Sequence, residues 1–393
     1  CGELLQCGDC VLLYPHILRR IIVVYRYIWQ QEVWPNFTFN HERLFGLLAE
    51  TSRAQGVLLG KIESLGFELR NEACLQTITE DVVKSSEIEG ENLPRDQVRS
   101  SIARRLGIDT GGLISVGRDV EGIVEMMLDA TGNFSQPLDE ERLFAWHAAL
   151  FPTGRSGMHK IIVGNWRNGD TGPMQVVSGP IGHEKVHFEA PPADSVPDEM
   201  AALIRWFEST GDLDPLLVSA ITHLWFVTIH PFEDGNGRIA RALADMALSR
   251  SEKTGQRFYS MSSQIRKEHQ HYYELLEQTQ KGELDITEWI VWFLQCLQRA
   301  IFTSEELLDS VLQKAAFWER YSSSTFNARQ VKVLNLLLGD FEGKLTTSKW
   351  GKIAKCSQDT AHRDITDLID KGALQKNPGG GRNTSYSLVL TCK

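Results

Sequence analysis

The chain has no apolar run long enough to cross a bilayer. Its nearest candidate, Val11 to Tyr25, is broken by Pro15, His16, Arg19 and Arg20 and carries no convincing cleavage signal. Residues 1–26 are read as an extension, with the globular protein expected to start near Tyr27-Ile-Trp29. A cysteine framework is also lacking. Seven cysteines lie at positions 1, 7, 10, 74, 296, 356 and 392, an odd number without paired spacing, which fits reduced thiols and a cytoplasmic setting. Cys7-Gly-Asp-Cys10 has the spacing of a zinc half-site, but no second Cys/His pair follows, so it is read as a decoy. Positive charge is scarce, at 41 Lys and Arg against 51 Asp and Glu, and the net charge of −10 argues against bulk nucleic-acid binding. Internal repeats and low-complexity segments are absent.

What is present is an ordinary globular composition, 42% hydrophobic and 23% charged, over 393 residues, enough for two or three cores. The charge is uneven. From Phe326 to the end, eleven Lys and Arg face six Asp and Glu, so a basic tail follows an acidic body.

The most informative segment is His230-Pro-Phe-Glu-Asp-Gly-Asn-Gly-Arg238, with Arg241 one helical turn on. Ile221, Leu224, Trp225, Val227 and Ile229 have helical spacing before it, and Ile239 to Leu248 reads as an Ala-rich helix after it. The motif is therefore a loop that opens onto a helix N-terminus, where phosphate is favoured. A histidine can act as base, a carboxylate can hold a metal, a Gly-rich backbone can wrap an anion, and two arginines can neutralise phosphate charge.

This pattern resembles the signature of the Fic family, His-Pro-Phe-x-Asp/Glu-Gly-Asn-Gly-Arg-x-x-Arg, at every fixed position. The resemblance implies a mainly α fold: a Fic-type helical core with a β-hairpin flap. It implies a protein adenylyltransferase that moves AMP from ATP, with Mg²⁺, onto a Ser, Thr or Tyr hydroxyl of a protein target. His230 would take the hydroxyl proton and Asp234 would bind Mg²⁺. Gly235, Asn236 and Gly237 would cradle phosphate, and Arg238 and Arg241 would neutralise the departing pyrophosphate. Tyr272 or Tyr273 would stack on adenine or be core tyrosines. The strand-like stretch from Ile161 to Glu189 is the expected flap, its tip near Met174, Gln175, Val176, Val177 and Ser178, holding the target by main-chain pairing.

Ser85-Ser-Glu-Ile-Glu89-Gly90 matches the family's inhibitory pattern, Ser/Thr-x-x-x-Glu-Gly/Asn. Ser85 and Glu89 are i,i+4 on a helix expected over Thr77 to Ile88 and share a face. The resemblance implies that Glu89 pairs with Arg241 and competes with the γ-phosphate. In some relatives the same glutamate is linked to AMP removal, so removal, or both activities, is an alternative reading.

The tail reads as a winged helix-turn-helix. Asn327 precedes one helix, Thr346 a short second, and Ser357 caps a third to Lys371; strands follow at Leu374 to Lys376 and Tyr386 to Leu390. Ser357, Gln358 and Arg363 would face a major groove, with Arg382 in the basic loop between the strands, although such domains also dock proteins or dimerise. A nucleotide-sensing DNA-binding regulator is thus a rival reading, and a homodimer is compatible with it. The expected organisation is a helical domain with the inhibitory helix over 27–105, a catalytic core over 106–300, a linker helix over 301–325 and the winged helix over 326–393.

Overall fold

The computed structural model describes residues 26–63, 65–108, 114–170, 172–180, 182–183, 185–338, 341, 343–378 and 384–389. Residues 1–25 of the expected extension over 1–26, including the Cys7–Cys10 pair, and Arg382 lie outside the described residues.

The fold is mainly helical. α1 (His41–Glu63), α2 (Phe67–Ile88), α3 (Arg95–Leu106), α4 (Arg118–Gly132) and α5 (Glu140–Leu150) come first. Two small hairpins follow, β1–β2 (Arg155–Ser156, His159–Lys160) and β3–β4 (Gln175–Ser178, Lys185–Glu189), both antiparallel. Then come α6 (Val196–Glu208), α7 (Pro215–Ile229), α8 (Asn236–Glu252), α9 (Met261–Lys267), α10 (His269–Gln280) and α11 (Thr287–Arg320). The tail has α12 (Ala328–Leu337), α13 (Thr347–Ala354), α14 (Gln358–Asp370) and an antiparallel pair, β5 (Leu374–Lys376) and β6 (Tyr386–Leu388).

At the centre, α7 packs along α8. Every residue of α7 from Leu216 to Ile229 is buried, so the helix is apolar all round rather than striped. Pro215 occupies its first turn and the Asp214 side chain accepts from Leu216 N–H, a start suited to both residue types. On α8 the residues from Ile239 to Ser249 are buried, and Ala240, Ala242, Ala244 and Ala247 keep that helix slim. Ser219 Oγ donates to the Ala244 carbonyl at 2.9 Å, tying the pair together without an orphaned hydroxyl.

Among the described residues there are two large hydrophobic cores and a small third cluster, Tyr27 with Phe188 and Ala190 beneath the β3–β4 hairpin. One large core runs from Ile28 to Leu308 and the other from Phe317 to Tyr386. α11 serves both: Trp289 to Ile301 and Leu308 belong to the first, while Phe317 and Tyr321 belong to the second. In place of the separate linker helix expected over 301–325, one 34-residue helix is continuous, because no Gly or Pro interrupts Thr287–Arg320. α2 likewise begins ten residues before the expected Thr77.

The hairpin differs more. Ile161 to Gly164 forms no strand, and Met174 to Ser178 is not a tip: Gln175–Ser178 is β3 itself, and the connection to β4 lies beyond it at 179–184. A run of Val and Ser between glycines marks a strand without fixing which end turns. Among the described residues, no helix is long and apolar enough to cross a membrane.

Candidate active site

The end of α7 sets the site. His230 is its C-cap and takes a left-handed conformation, φ 51°, which a non-glycine residue holds only with support. Arg167 supplies it. This buried guanidinium donates through Nε to the His230 carbonyl at 2.8 Å, and through Nη2 to Pro191 at 2.6 Å and Ile229 at 3.3 Å. Its own N–H donates to the Pro231 carbonyl at 2.9 Å. All these side-chain partners are carbonyls, and two lie at the negative end of α7, so the cation caps the helix. Burial pulls Arg167 down to about 10. Sequence reasoning missed this residue, because an arginine in an irregular segment carries no pattern.

The loop is held from within. The Asn236 amide closes a ring with Phe232, accepting from its N–H at 2.9 Å and donating to its carbonyl at 2.8 Å. Those two bonds fix the shape of the loop. What the loop offers phosphate is the start of α8, whose first N–H groups have no carbonyl within the helix to bond. Gly235, at φ 81°, sits under the Phe151 ring, where a Cβ would come within 2.9 Å of Phe151 Cε2. His147 stacks on Phe232 with centroids 4.1 Å apart and planes at 6°. Its Nδ1 accepts from Gly164 N–H at 3.1 Å, so Nε2–H donates to the Asp234 carbonyl at 3.2 Å. Burial brings His147 down to about 4, which keeps that tautomer neutral.

His230 itself is half-buried. Desolvation is the largest influence and Arg167 adds to it, lowering the imidazole to about 4, so it is uncharged at neutral pH. The Asp234 carboxylate accepts from Gly235 N–H at 2.6 Å and from the Ser156 hydroxyl of β1.

Two arginines complete the site, and both point at carboxylates from the end of α2. Arg241, 2% exposed, donates Nε to Ser85 Oγ at 2.9 Å, and Nη2 to the Ser85 carbonyl at 2.9 Å and to Glu89 Oε1 at 2.8 Å. The Glu89 carboxylate also lies against Gly237, where any Cβ would fall 2.2 Å from Oε1. Gly90 follows at φ 81° and turns the chain away. Arg238 is covered by the Phe151 ring and donates to Glu91 Oε2 at 2.7 Å, a partner the sequence did not suggest. Arg238 Nε and Arg241 Nη1 are buried with no hydrogen-bond partner among the described residues.

Tyr272 is a core residue, packed against Trp289 and Trp292, its hydroxyl 2.9 Å from His223 Nε2; that enclosure leaves no open ring face for adenine. Tyr273 stays partly exposed, with its hydroxyl 3.4 Å from the Ile88 carbonyl. In the tail, Ser357 accepts from Thr360 N–H and starts α14, and Gln358 and Arg363 are exposed. Asp359 is exposed beside them, so this helix face carries charge of both signs.

The profile of the Fic/DOC family matches residues 137–248, which hold α5, both hairpins, the His230 loop and most of α8. Residues 137–248 are a Fic/DOC domain. A second profile, a domain of unknown function (DUF4172), matches residues 27–108 and so covers the helix that carries Glu89. The chain is 28% identical over 167 residues to the protein adenylyltransferase fic-1 of Caenorhabditis elegans, covering 42% of this chain and 30% of that one. It is 35% identical over 119 residues to the protein adenylyltransferase Fic of Nematostella vectensis, covering 30% of this chain and 26% of that one. The matched segments thus span less than a third of either relative. Among solved structures, a Fic family protein from Desulfovibrio desulfuricans aligns with a TM-score of 0.49 and 21% identity, over 88% of this chain and 97% of that one.

Proposed function

We propose that the chain is a protein adenylyltransferase that moves AMP from ATP to a protein hydroxyl and is held in check by Glu89. The observation that carries this reading is the position of the Glu89 carboxylate. It sits between Arg241 and Gly237, where the first N–H groups of α8 and a buried guanidinium converge. An anion site filled by the chain's own anion is a site for polyphosphate that has been stopped. The relatives named as adenylyltransferases support the choice of nucleotide.

In the reaction, the hydroxyl oxygen of the target bonds to the α-phosphorus of ATP, the α–β bridging bond breaks, and pyrophosphate leaves. His230, fixed by Arg167, takes the hydroxyl proton. A bound triphosphate raises the proton affinity of an imidazole beside it, so the base strengthens once nucleotide arrives. Arg241 and Arg238, released from their glutamates, offer guanidinium forks to the phosphates.

Mg²⁺ fits the residues present. Asp234 supplies one carboxylate at the loop, held by Gly235 and Ser156, and magnesium takes one or two carboxylates with the remainder from phosphate and water. Bound there, it would neutralise phosphate charge. The hairpin β3–β4, tied to His230 through Arg167 and Pro191, would align an extended target segment by main-chain pairing.

The test is incubation of the full chain carrying Glu89→Gly with labelled ATP and Mg²⁺ in a cell lysate, followed by mass spectrometry. AMP on Ser, Thr or Tyr residues supports the reading. Absence of AMP at every nucleotide concentration sinks it.

A further inference from the structure

A second set of reactive groups lies on β3, β4 and α10. Ser178 Oγ is 2.6 Å from His187 Nε2, and His187 Nδ1 is 2.6 Å from Glu277 Oε2. The carboxylate fixes the roles: Nδ1–H donates to Glu277, so Nε2 presents a lone pair and accepts from the Ser178 hydroxyl. Glu277 Oε1 accepts from Lys281 Nζ at 2.6 Å, and the hydrogen bonds from Lys281 and then His187 hold its carboxyl at about 2, ionised throughout the working range. Nucleophile, base and orienting carboxylate follow one another in hydrogen-bond contact, the order that activates a serine.

The backbone accounts for this meeting. Val176 pairs with Phe188 and Val177 with Val186, so His187 is the extra residue of a β-bulge. A bulge re-aims a side chain, and here it aligns His187 with both Ser178 and Glu277.

Three contacts tie the elements that carry the group to the proposed site. Tyr273, Glu277 and Gln280 are spaced i, i+4, i+7 along one face of α10. Tyr273 touches the Ile88 carbonyl next to Glu89, Gln280 reaches Thr228 Oγ1 at 3.3 Å near the end of α7, and Glu277 lies between them. The base of the hairpin is joined to His230 by Arg167. Ser178 is exposed on its strand rather than set in a cleft of its own, so an electrophile must come from the neighbouring site.

We propose that Ser178 is a modification site of this chain: a serine activated by His187 and Glu277 that accepts a phosphorus electrophile, the AMP group of ATP. This rests on the adenylyltransferase reading above. Ser178 Oγ bonds to the α-phosphorus as the α–β bridging bond breaks, the hydroxyl proton passes to His187 Nε2, and pyrophosphate leaves. The hydroxyl is then blocked, and a strand assigned to target pairing carries a nucleotide.

Two experiments on the full chain separate the claims. A fluorophosphonate probe reads the reactivity of Ser178 without any nucleotide, through peptide mass spectrometry over residues 168–185. An adduct at Ser178 is expected, with its rate lowered at least about tenfold in His187→Asn and in Glu277→Gln, as loss of an oriented base implies. Glu277→Gln keeps shape and hydrogen-bonding capacity, so it carries the comparison if His187→Asn loosens the hairpin. In the second experiment the Glu89→Gly chain receives ATP and Mg²⁺. AMP is expected on Ser178, and it should fall at least about tenfold with Glu277→Gln while transfer to other acceptors persists. A Ser178 no more reactive to the probe than other exposed serines, or AMP on other residues with Ser178 bare, overturns the proposal. A reactive Ser178 with no AMP on any acceptor supports the activated serine and overturns the adenylyltransferase reading.

Discussion

The two ends of the anion site are built from the same parts and differ in depth. At one end Glu89 meets Arg241, with side chains 28% and 2% exposed; at the other Glu91 meets Arg238, at 47% and 4%. Both arginines are buried, and each is paired with a carboxylate. The carboxylates are where the ends diverge. Glu89 is wedged against Gly237 and shares Arg241 with Ser85, whereas Glu91 reaches in from solvent and can leave by rotating its side chain. In the proposed function, depth therefore separates a brake from a rim contact. An exposed ion pair contributes about 0–1 kcal/mol, and breaking a buried one changes far more.

The comparison presumes that both pairs face one reaction, and the base is where that can be broken. In a Glu89→Gly background, His230→Ala should lower AMP transfer by about 10²–10⁴-fold while nucleotide binding, followed by calorimetry, stays close to the parent. Retained transfer would show that the arginines serve a different chemistry.

Arg167 comes next. Arg167→Met should cost transfer about 10²-fold through kcat, because the His230 ring loses its fixed carbonyl and is misplaced. The guanidinium also lowers the His230 pKa, so its removal raises that pKa. The neutral form is the base, and the acid limb of kcat/KM should then move to higher pH. Arg167→Lys keeps the charge and should leave the limb in place. An unmoved limb in both variants would reduce Arg167 to a packing residue.

A smaller effect tests how dry the core behind Arg241 is. His223 is buried against Tyr272, and burial followed by Arg241 lowers its pKa to about 3. The unfolded chain takes up this proton near pH 6.5 and the folded chain does not. Stability from this group is thus whole above about 6.5 and is lost as pH falls toward 3. Urea unfolding should show a loss of about 2 kcal/mol between pH 6.5 and 5 that His223→Gln removes. An unchanged pH slope in the variant would mean that water reaches this histidine.

The smallest effect sharpens the comparison most. Glu91→Gln should change AMP transfer by less than about fivefold, the range of an exposed pair. A rise as large as that of Glu89→Gly would make the two ends equivalent.

Legibility in the sequence followed how local the chemistry was. The His230 to Arg241 constellation and the Ser85–Glu89 spacing lie within a few residues each, and one turn of helix brings their side chains together. Contacts made across the fold were invisible: Arg167 to His230, Glu91 to Arg238, and His187 between Ser178 and Glu277 join residues from 9 to 147 positions apart. The Asn236 bonds to Phe232 were hidden for a related reason, since a polar side chain in a phosphate-type loop can serve the loop as well as the ligand. The tail's three helices and two strands follow the order read from its caps and apolar spacing, while its groove-facing candidates remain a matter of surface charge, and the acidic Asp359 among them dilutes that charge.

The measurement that bears most directly on the depth of the Glu89 pair is the rate of AMP transfer and the affinity for ATP in the wild-type chain, Glu89→Gly, and Glu89→Gly with Arg241→Ala. Glu89→Gly should raise both, and adding Arg241→Ala should return transfer to the wild-type level or below. Equal transfer in the wild-type chain and Glu89→Gly, at limiting and at saturating ATP, would contradict the brake at Glu89.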